Sequence, residues 1–298
     1  MKSKSRLATA FFLNLFFTVF ELVGGLFTNS MAILSDAVHD LGDSLAIGLS
    51  WLLDRKAKQK PDDRFTYGYG RYSLLGALIS SLILVAGATV VIIKAIPRLL
   101  NPQPVHADWM ILFAVVGVVV NGIAATQAAK GRTANEKAVS LHLFEDVFGW
   151  IAVLLGSLAM VLWNIPILDA ILSLVFTVYI LFHVFKNIRE VMAVFLEKAP
   201  RGIDLETVKA AVVDHREILD VHHLHVWTVD GVNPLATMHV VIADGSTAEA
   251  IAAIRARIRD QLEGLGIHHA TIECEPRSAV CTESECLPES GGTPIHHH

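Results

Sequence analysis

The sequence predicts an α-helical membrane protein, six transmembrane helices followed by a small cytoplasmic α+β domain of order α-β-β-α-β. Three observations carry that prediction. Hydrophobic residues make up 53% of the 298 and charged residues only 18%, and the mean hydropathy of +0.51 lies above that of soluble domains. Six segments, about 7–28, 31–53, 74–96, 109–129, 139–163 and 166–186, are apolar over the length a bilayer requires. Past Lys186 the hydropathy falls, and Pro200-Arg-Gly202 opens a stretch patterned like a soluble domain.

The first segment follows Met1-Lys-Ser-Lys-Ser-Arg6, which imitates a secretory signal. Its apolar run is too long for a signal core and lacks a small-x-small cleavage site, so it reads as a spanning helix. Asn14 and Glu21, seven apart, give that helix one polar face. The short link Thr28-Asn-Ser30 makes the first two helices an antiparallel hairpin. Lys and Arg gather at the N-terminus, in the link Asp54 to Arg64, and at Lys130, Arg132 and Lys137. The link Pro97 to Asp108 has only Arg98, and Trp163-Asn-Ile-Pro166 has none. The positive-inside rule then puts both termini in the cytoplasm, and six crossings satisfy the parity. The expected location is the cell's inner membrane. Asn121 and Asp169, polar at membrane depth, are expected to hydrogen-bond between helices.

In the soluble part, Leu205 to His215 reads as an amphipathic helix. Val221–Val229 and Leu235–Ile242 are β-branched strands around the turn Asp230-Gly-Val-Asn-Pro234. Ser246 to Leu262 is a second helix, with Ser246 or Thr247 as its N-cap, and Ile267–Cys274 is a last strand. The expected domains are 1–199 in the membrane, 200–276 in the cytoplasm, and a poorly ordered Cys-containing tail, 277–298. The terminal His296-His-His298 is set aside as a tag remnant.

The chemistry centres on Ser30 to Asp43. At about 100° per residue, Asp36, His39, Asp40 and Asp43 fall within an arc of about 100° on one helix face. His39 and Asp43 lie one turn apart on it. The spacing recurs at His142-Leu-Phe-Glu-Asp146. A charge near a bilayer centre costs about 2.5–3.5 kcal/mol on insertion scales, so a bound cation is the simplest compensation. Two imidazoles and two carboxylates form an N2O2 set suited to tetrahedral Zn2+ rather than to Mg2+ or Ca2+.

A second cluster lies in the soluble part. His222, His223 and His225 share one strand, His239 its neighbour, and His268 and His269 open the third. Glu273, Glu275, Cys281 and Cys286 follow. With Cys274 the cysteines number three, all near the end, so free thiols or a thiolate metal site are expected rather than disulfides. The net charge of −5 argues against nucleic acid as a partner.

Taken together, Ser30 to Asp43, the paired His-x-x-x-Asp motifs, six helices and the α-β-β-α-β tail resemble the cation diffusion facilitators of the zinc-exporter type. Phe65-Thr-Tyr-Gly-Tyr-Gly-Arg71 and Val221-His-His-Leu-His-Val-Trp227 are also similar to that family. The likeness runs from Leu7 to Pro276. It implies a homodimeric Zn2+/H+ antiporter with a metallochaperone-like tail domain and a transport site of His39, Asp43, His142 and Asp146. It also implies tail ligands at His222, His239, His268 and Glu275, completed by Cys281 and Cys286. The second-to-third loop has no histidine for an additional loop site, and Ser73 stands where many relatives carry glutamate. Three other readings stand beside it. The physiological ion could be Cd2+, Co2+, Ni2+, Fe2+ or Mn2+, since affinity order does not choose it. The chain could be a membrane metal sensor. An intramembrane metalloenzyme is disfavoured because no His-Glu-x-x-His is present.

Overall fold

The computed structural model describes residues 2–130, 134–279 and 281, and side chains from residue 11 onward except 13, 50, 51, 54, 55, 128 and 134–139. Six long helices come first: α1 (Lys2–Thr28), α2 (Met31–Ala57), α3 (Arg71–Leu100), α4 (Ala107–Ala129), α5 (Ala134–Trp163) and α6 (Ile167–Phe195). All six expected segments are helical, most extending beyond their apolar limits. Within the described residues, four helices are long and apolar enough to cross a bilayer: α3, α4, α5 and α6. The face of α2 that carries Asp36, Asp40 and Asp43 lowers its hydropathy.

The helices pack through small residues and buried polar contacts, as expected where lipid supplies no hydrophobic drive between them. A Cβ on Gly117 of α4 would lie 2.2 Å from the Trp150 ring of α5, and one on Gly42 of α2 would lie 2.3 Å from Leu84 of α3. Trp150 joins Ala32, Ile33, Met110 and Val153 in one buried cluster. Phe16, Leu82, Leu155 and Phe182 face outward.

Buried polar groups fix α2 at its start. Asp169 of α6 accepts from Ser30 Oγ at 2.5 Å, Met31 N at 2.7 Å and Ala32 N at 3.1 Å. These are N–H groups that a helix cannot satisfy itself. Arg98 stands 4.0 Å from the same carboxylate and donates to Asn29 O and Oδ1, both at 2.7 Å. Ser35 and Thr177 add a second α2–α6 link at 2.9 Å. Asp169 is thus the interhelical group expected. Asn121 is not: its Nδ2 donates to Gly117 O one turn back in its own helix, at 3.1 Å.

The chain divides into two compact units, the second comprising Pro61–Leu74 and the chain from Glu190. In it, α7 (Leu205–Val213), β1 (Ile218–Thr228), β2 (Pro234–Ile242), α8 (Ala248–Gly264) and β3 (His269–Pro276) follow the expected order. Asp204 and Thr247 cap the two helices through their side chains. The sheet order is β1-β2-β3, with β1 and β2 antiparallel and β2 and β3 parallel. Val208, Val212, Val221, Val226, Met238, Val240, Ile254, Ile258 and Ile272 form its core. Cys274 packs against that core, where burial pushes its thiol pKa up.

Of the expected tail, only residues 277–279 and 281 are described. Arg277–Ala279 forms a 3-10 turn, and Ser278 donates from N and Oγ to Asp244 Oδ1 at 2.9 and 2.8 Å. Arg71, two residues before Ser73, pairs with Glu197 at 3.1 Å and donates to Val229 O at 3.3 Å.

Candidate metal centre

In the membrane unit, the polar face of α2 meets α5 inside a cavity of about 610 Å3 lined by Asp36, His39, Asp43, His142 and Asp146 among others. Hydropathy puts the start of α5 near residue 139, but the helix begins at Ala134. His142 therefore sits about two turns inside it. From that position His142 and Asp146 reach the pair on α2. His39 Nε2 lies 3.8 Å from both Asp43 Oδ2 and Asp146 Oδ1. His142 Nε2 donates to Asp43 Oδ2 at 2.7 Å. Donor atoms around a zinc ion with bonds of about 2.0–2.1 Å are separated by about 3.3 Å, so these spacings bracket a tetrahedral site. His39, Asp43 and His142 present ligand atoms within 4.8 Å of one another, and so do His39, Asp40 and Asp146. The four sequence-predicted residues line one cavity and are linked through His39, which converges with Asp43 and His142 in one group and with Asp146 and Asp40 in the other. Glu145 approaches His142 Nδ1 from the other side, at 4.0 Å.

In the sheet domain, His222 of β1 pairs across the ladder with His239 of β2. The register between His222 and His225 carries one extra residue, and His223 has φ of 48°. In a regular strand, neighbouring side chains point to opposite faces. This bulge brings His223 beside His222, and the three rings of His222, His223 and His239 lie 5.0–5.3 Å apart. Their ligand atoms form a third candidate metal group.

Glu275 completes that face, with Oε1 2.6 Å from His239 Nδ1 and Oε2 3.3 Å from His222 Nε2. Burial opposes ionisation of Glu275. The Cys281 backbone N–H at 3.0 Å, with His239 and His222, outweighs it and holds the carboxyl below the usual range. Cys281 Sγ lies 3.7 Å from His223 Nε2.

Of the tail residues expected from sequence, His222, His239, Glu275 and Cys281 come together. His268 does not: it is exposed just before β3, and Glu273, not His268, lies beside His239 in the parallel register. Five residues of strand put it roughly 16 Å from Glu273. Cys286 lies outside the described residues. His223 is the ligand candidate that the resemblance alone misses. Its signal is the spacing of Val221 and Val226, both core-facing yet five apart, which requires a bulge between them.

The model for the cation efflux transmembrane domain matches residues 7–196, and that for the cytoplasmic domain of cation efflux proteins matches residues 200–277. The chain belongs to the cation efflux family. Similar members span nearly its whole length. A Bacillus subtilis protein named cadmium, cobalt and zinc/H(+)-K(+) antiporter is 27% identical over 99% of this chain and 97% of its own. Zinc transporter ZitB of Pectobacterium atrosepticum is 29% identical over 95% and 88%, and that of Escherichia coli 29% over 98% and 94%. Within a cation efflux protein, the α2–α5 cluster lies among the membrane helices and the histidine face lies on the cytoplasmic-type domain.

Proposed function

We propose that this cation efflux protein exports Zn2+ from the cytoplasm in exchange for protons. The observation that carries the reading is the interleaving of the two helices' donors. Asp43 of α2 bonds His142 of α5, and His39 of α2 stands equally far from Asp43 and from Asp146 of α5. A cation held there bridges two helices and is sensitive to their relative movement.

Zn2+ binds neutral imidazole and carboxylate, so it competes with protons for the same lone pairs. The proton on His142 Nε2 that bonds Asp43 occupies the lone pair a metal would take. Facing the cytoplasm, the four residues release protons as they load Zn2+. Facing the other side, protonation evicts it. An imidazole in water changes charge near pH 6.5, so this exchange works at physiological pH. Rigid-body movement that opens the site to one side at a time completes the cycle.

The reading assigns no catalytic residue. It places the protein in the cell's inner membrane with both termini cytoplasmic, as a homodimer, and assigns Zn2+ to the face of His222, His223, His239, Glu275 and Cys281 in the soluble domain. The relatives' names support zinc, and the B. subtilis name extends the class to Cd2+ and Co2+ as alternative cargo.

Reconstituted vesicles with an acidic interior test it. Zn2+ accumulates while the gradient lasts, a protonophore stops it, and Asp43→Ala or Asp146→Ala abolishes it. Uptake indifferent to the gradient, or normal flux in either variant, refutes the reading.

A further inference from the structure

A carboxylate outside the four-residue set lies deep in the same unit. Glu21 of α1 is 0% exposed, and the polar side chain it meets is another carboxyl, that of Asp40, rather than a basic or amide donor. It faces the side chain of Asp40, itself 7% exposed, and its electrostatic neighbours are Asp36, Asp40 and Asp146, all acidic. Asn14, seven residues before Glu21, donates to Asp40 O at 3.1 Å and Ser44 Oγ at 3.0 Å, which fixes this face of α1 against α2. Two buried carboxyls set against each other demand a shared proton or a cation. Asp40 has its acceptor atom within 4.8 Å of His39 and Asp146, so the cluster opens onto ligand atoms already converging.

We propose that the cavity has a second cation position, more enclosed than the first, formed by Asp40, His39 and Asp146 and backed by Glu21 and Asp36. The outer position is the transport site itself, Asp43 and His142 with His39 and Asp146. The inner one replaces an imidazole with carboxylates, an oxygen-rich set that favours a harder divalent cation such as Mn2+ over Zn2+. Both positions use His39 and Asp146, so one cation at a time occupies the cavity and passes between them by exchanging Asp43 and His142 for Asp40. This second position presupposes the transport reading of the cavity.

The test uses the full-length chain carrying His222→Ala and His239→Ala, which removes the sheet histidines from competition. Mn2+ is titrated by electron paramagnetic resonance, and its nitrogen couplings are read by spin-echo spectroscopy. The expected result is bound Mn2+ coupled to a single imidazole, displaced one for one by Zn2+. Asp40→Asn lowers the ratio of Mn2+ to Zn2+ affinity by about tenfold or more, Glu21→Gln lowers it in the same direction, and His142→Ala raises it. Coupling of Mn2+ to two imidazoles, or equal loss of both metals in Asp40→Asn, overturns the second position. The spin-echo measurement on the chain with Asp40 and Glu21 intact decides even if those variants do not fold. Zn2+ bound and lost in Asp43→Asn, with no Mn2+ bound, removes the inner position and leaves the transport site. Absence of both metals removes both.

Discussion

Nε2 of His142 lies 2.7 Å from Oδ2 of Asp43, so the metal-type pairs of α2 and α5 interlock rather than face each other as separate couples. A proton holds them in this geometry. A zinc ion with bonds of about 2.0–2.1 Å needs the two atoms to part by several tenths of an ångström. Under the proposed transport reading, loading and deprotonation are therefore one event.

In the proposed site, His39 sets the softness of the ligand set. Replacing it by aspartate turns N2O2 into NO3, which favours harder ions. His39→Asp is expected to raise the ratio of Mn2+ to Zn2+ transport by about tenfold, measured by competition in vesicles. A ratio that stays constant would remove His39 from the ligand set.

Asp169 holds the start of the helix that carries His39 and Asp43. Asp169→Ala leaves two backbone N–H groups and Ser30 Oγ without their acceptor and leaves Arg98 without its carboxylate. The expected loss is about 3 kcal/mol, from breaking a buried, hydrogen-bonded charge. Thermal unfolding in detergent checks the stability, and Zn2+ affinity should weaken with it, since α2 loses its anchor.

Gly117 gives Trp150 its place against α4. Gly117→Ala puts a methyl 2.2 Å from the indole and forces α4 and α5 apart. Overpacking of this kind costs about 1–3 kcal/mol. A lowered melting temperature together with reduced transport is expected, whereas Gly122→Ala, which meets nothing within 4 Å, should behave as wild type.

Acid should weaken the soluble domain at its β1–β2 turn. Burial raises the Asp230 pKa, but donors from Asn233, Val232 and Thr228 outweigh it and hold the carboxyl below its usual range. A depressed folded pKa contributes stability that is present above the unfolded value, near pH 4, and is lost as pH falls through the folded one. Acid unfolding followed by circular dichroism should show that loss, and Asp230→Asn should remove most of this pH dependence.

The helices are legible because their apolar runs exceed bilayer length, and the soluble order because β-branched strands and capped helices alternate. The pairing of His39 and Asp43 with His142 and Asp146 is legible from one spacing used twice. Asp40 is visible on the same helix face, yet linear spacing does not say which carboxylates a second helix will meet. His223 is hidden because strand alternation puts it opposite His222 until a bulge turns it. His268, expected from the resemblance, lies away from His239 because position along the strand, and not membership in the sheet, decides contact. Asn121 bonds its own helix, a choice open to any amide there.

X-ray absorption at the zinc edge, on the full-length His222→Ala, His239→Ala protein, addresses the central claim most directly. The account predicts one zinc per protomer with two imidazole nitrogens and two carboxylate oxygens at about 2.0–2.1 Å, lost in Asp43→Asn. A sulfur shell near 2.3 Å, a six-oxygen shell, or unchanged binding in Asp43→Asn would contradict it.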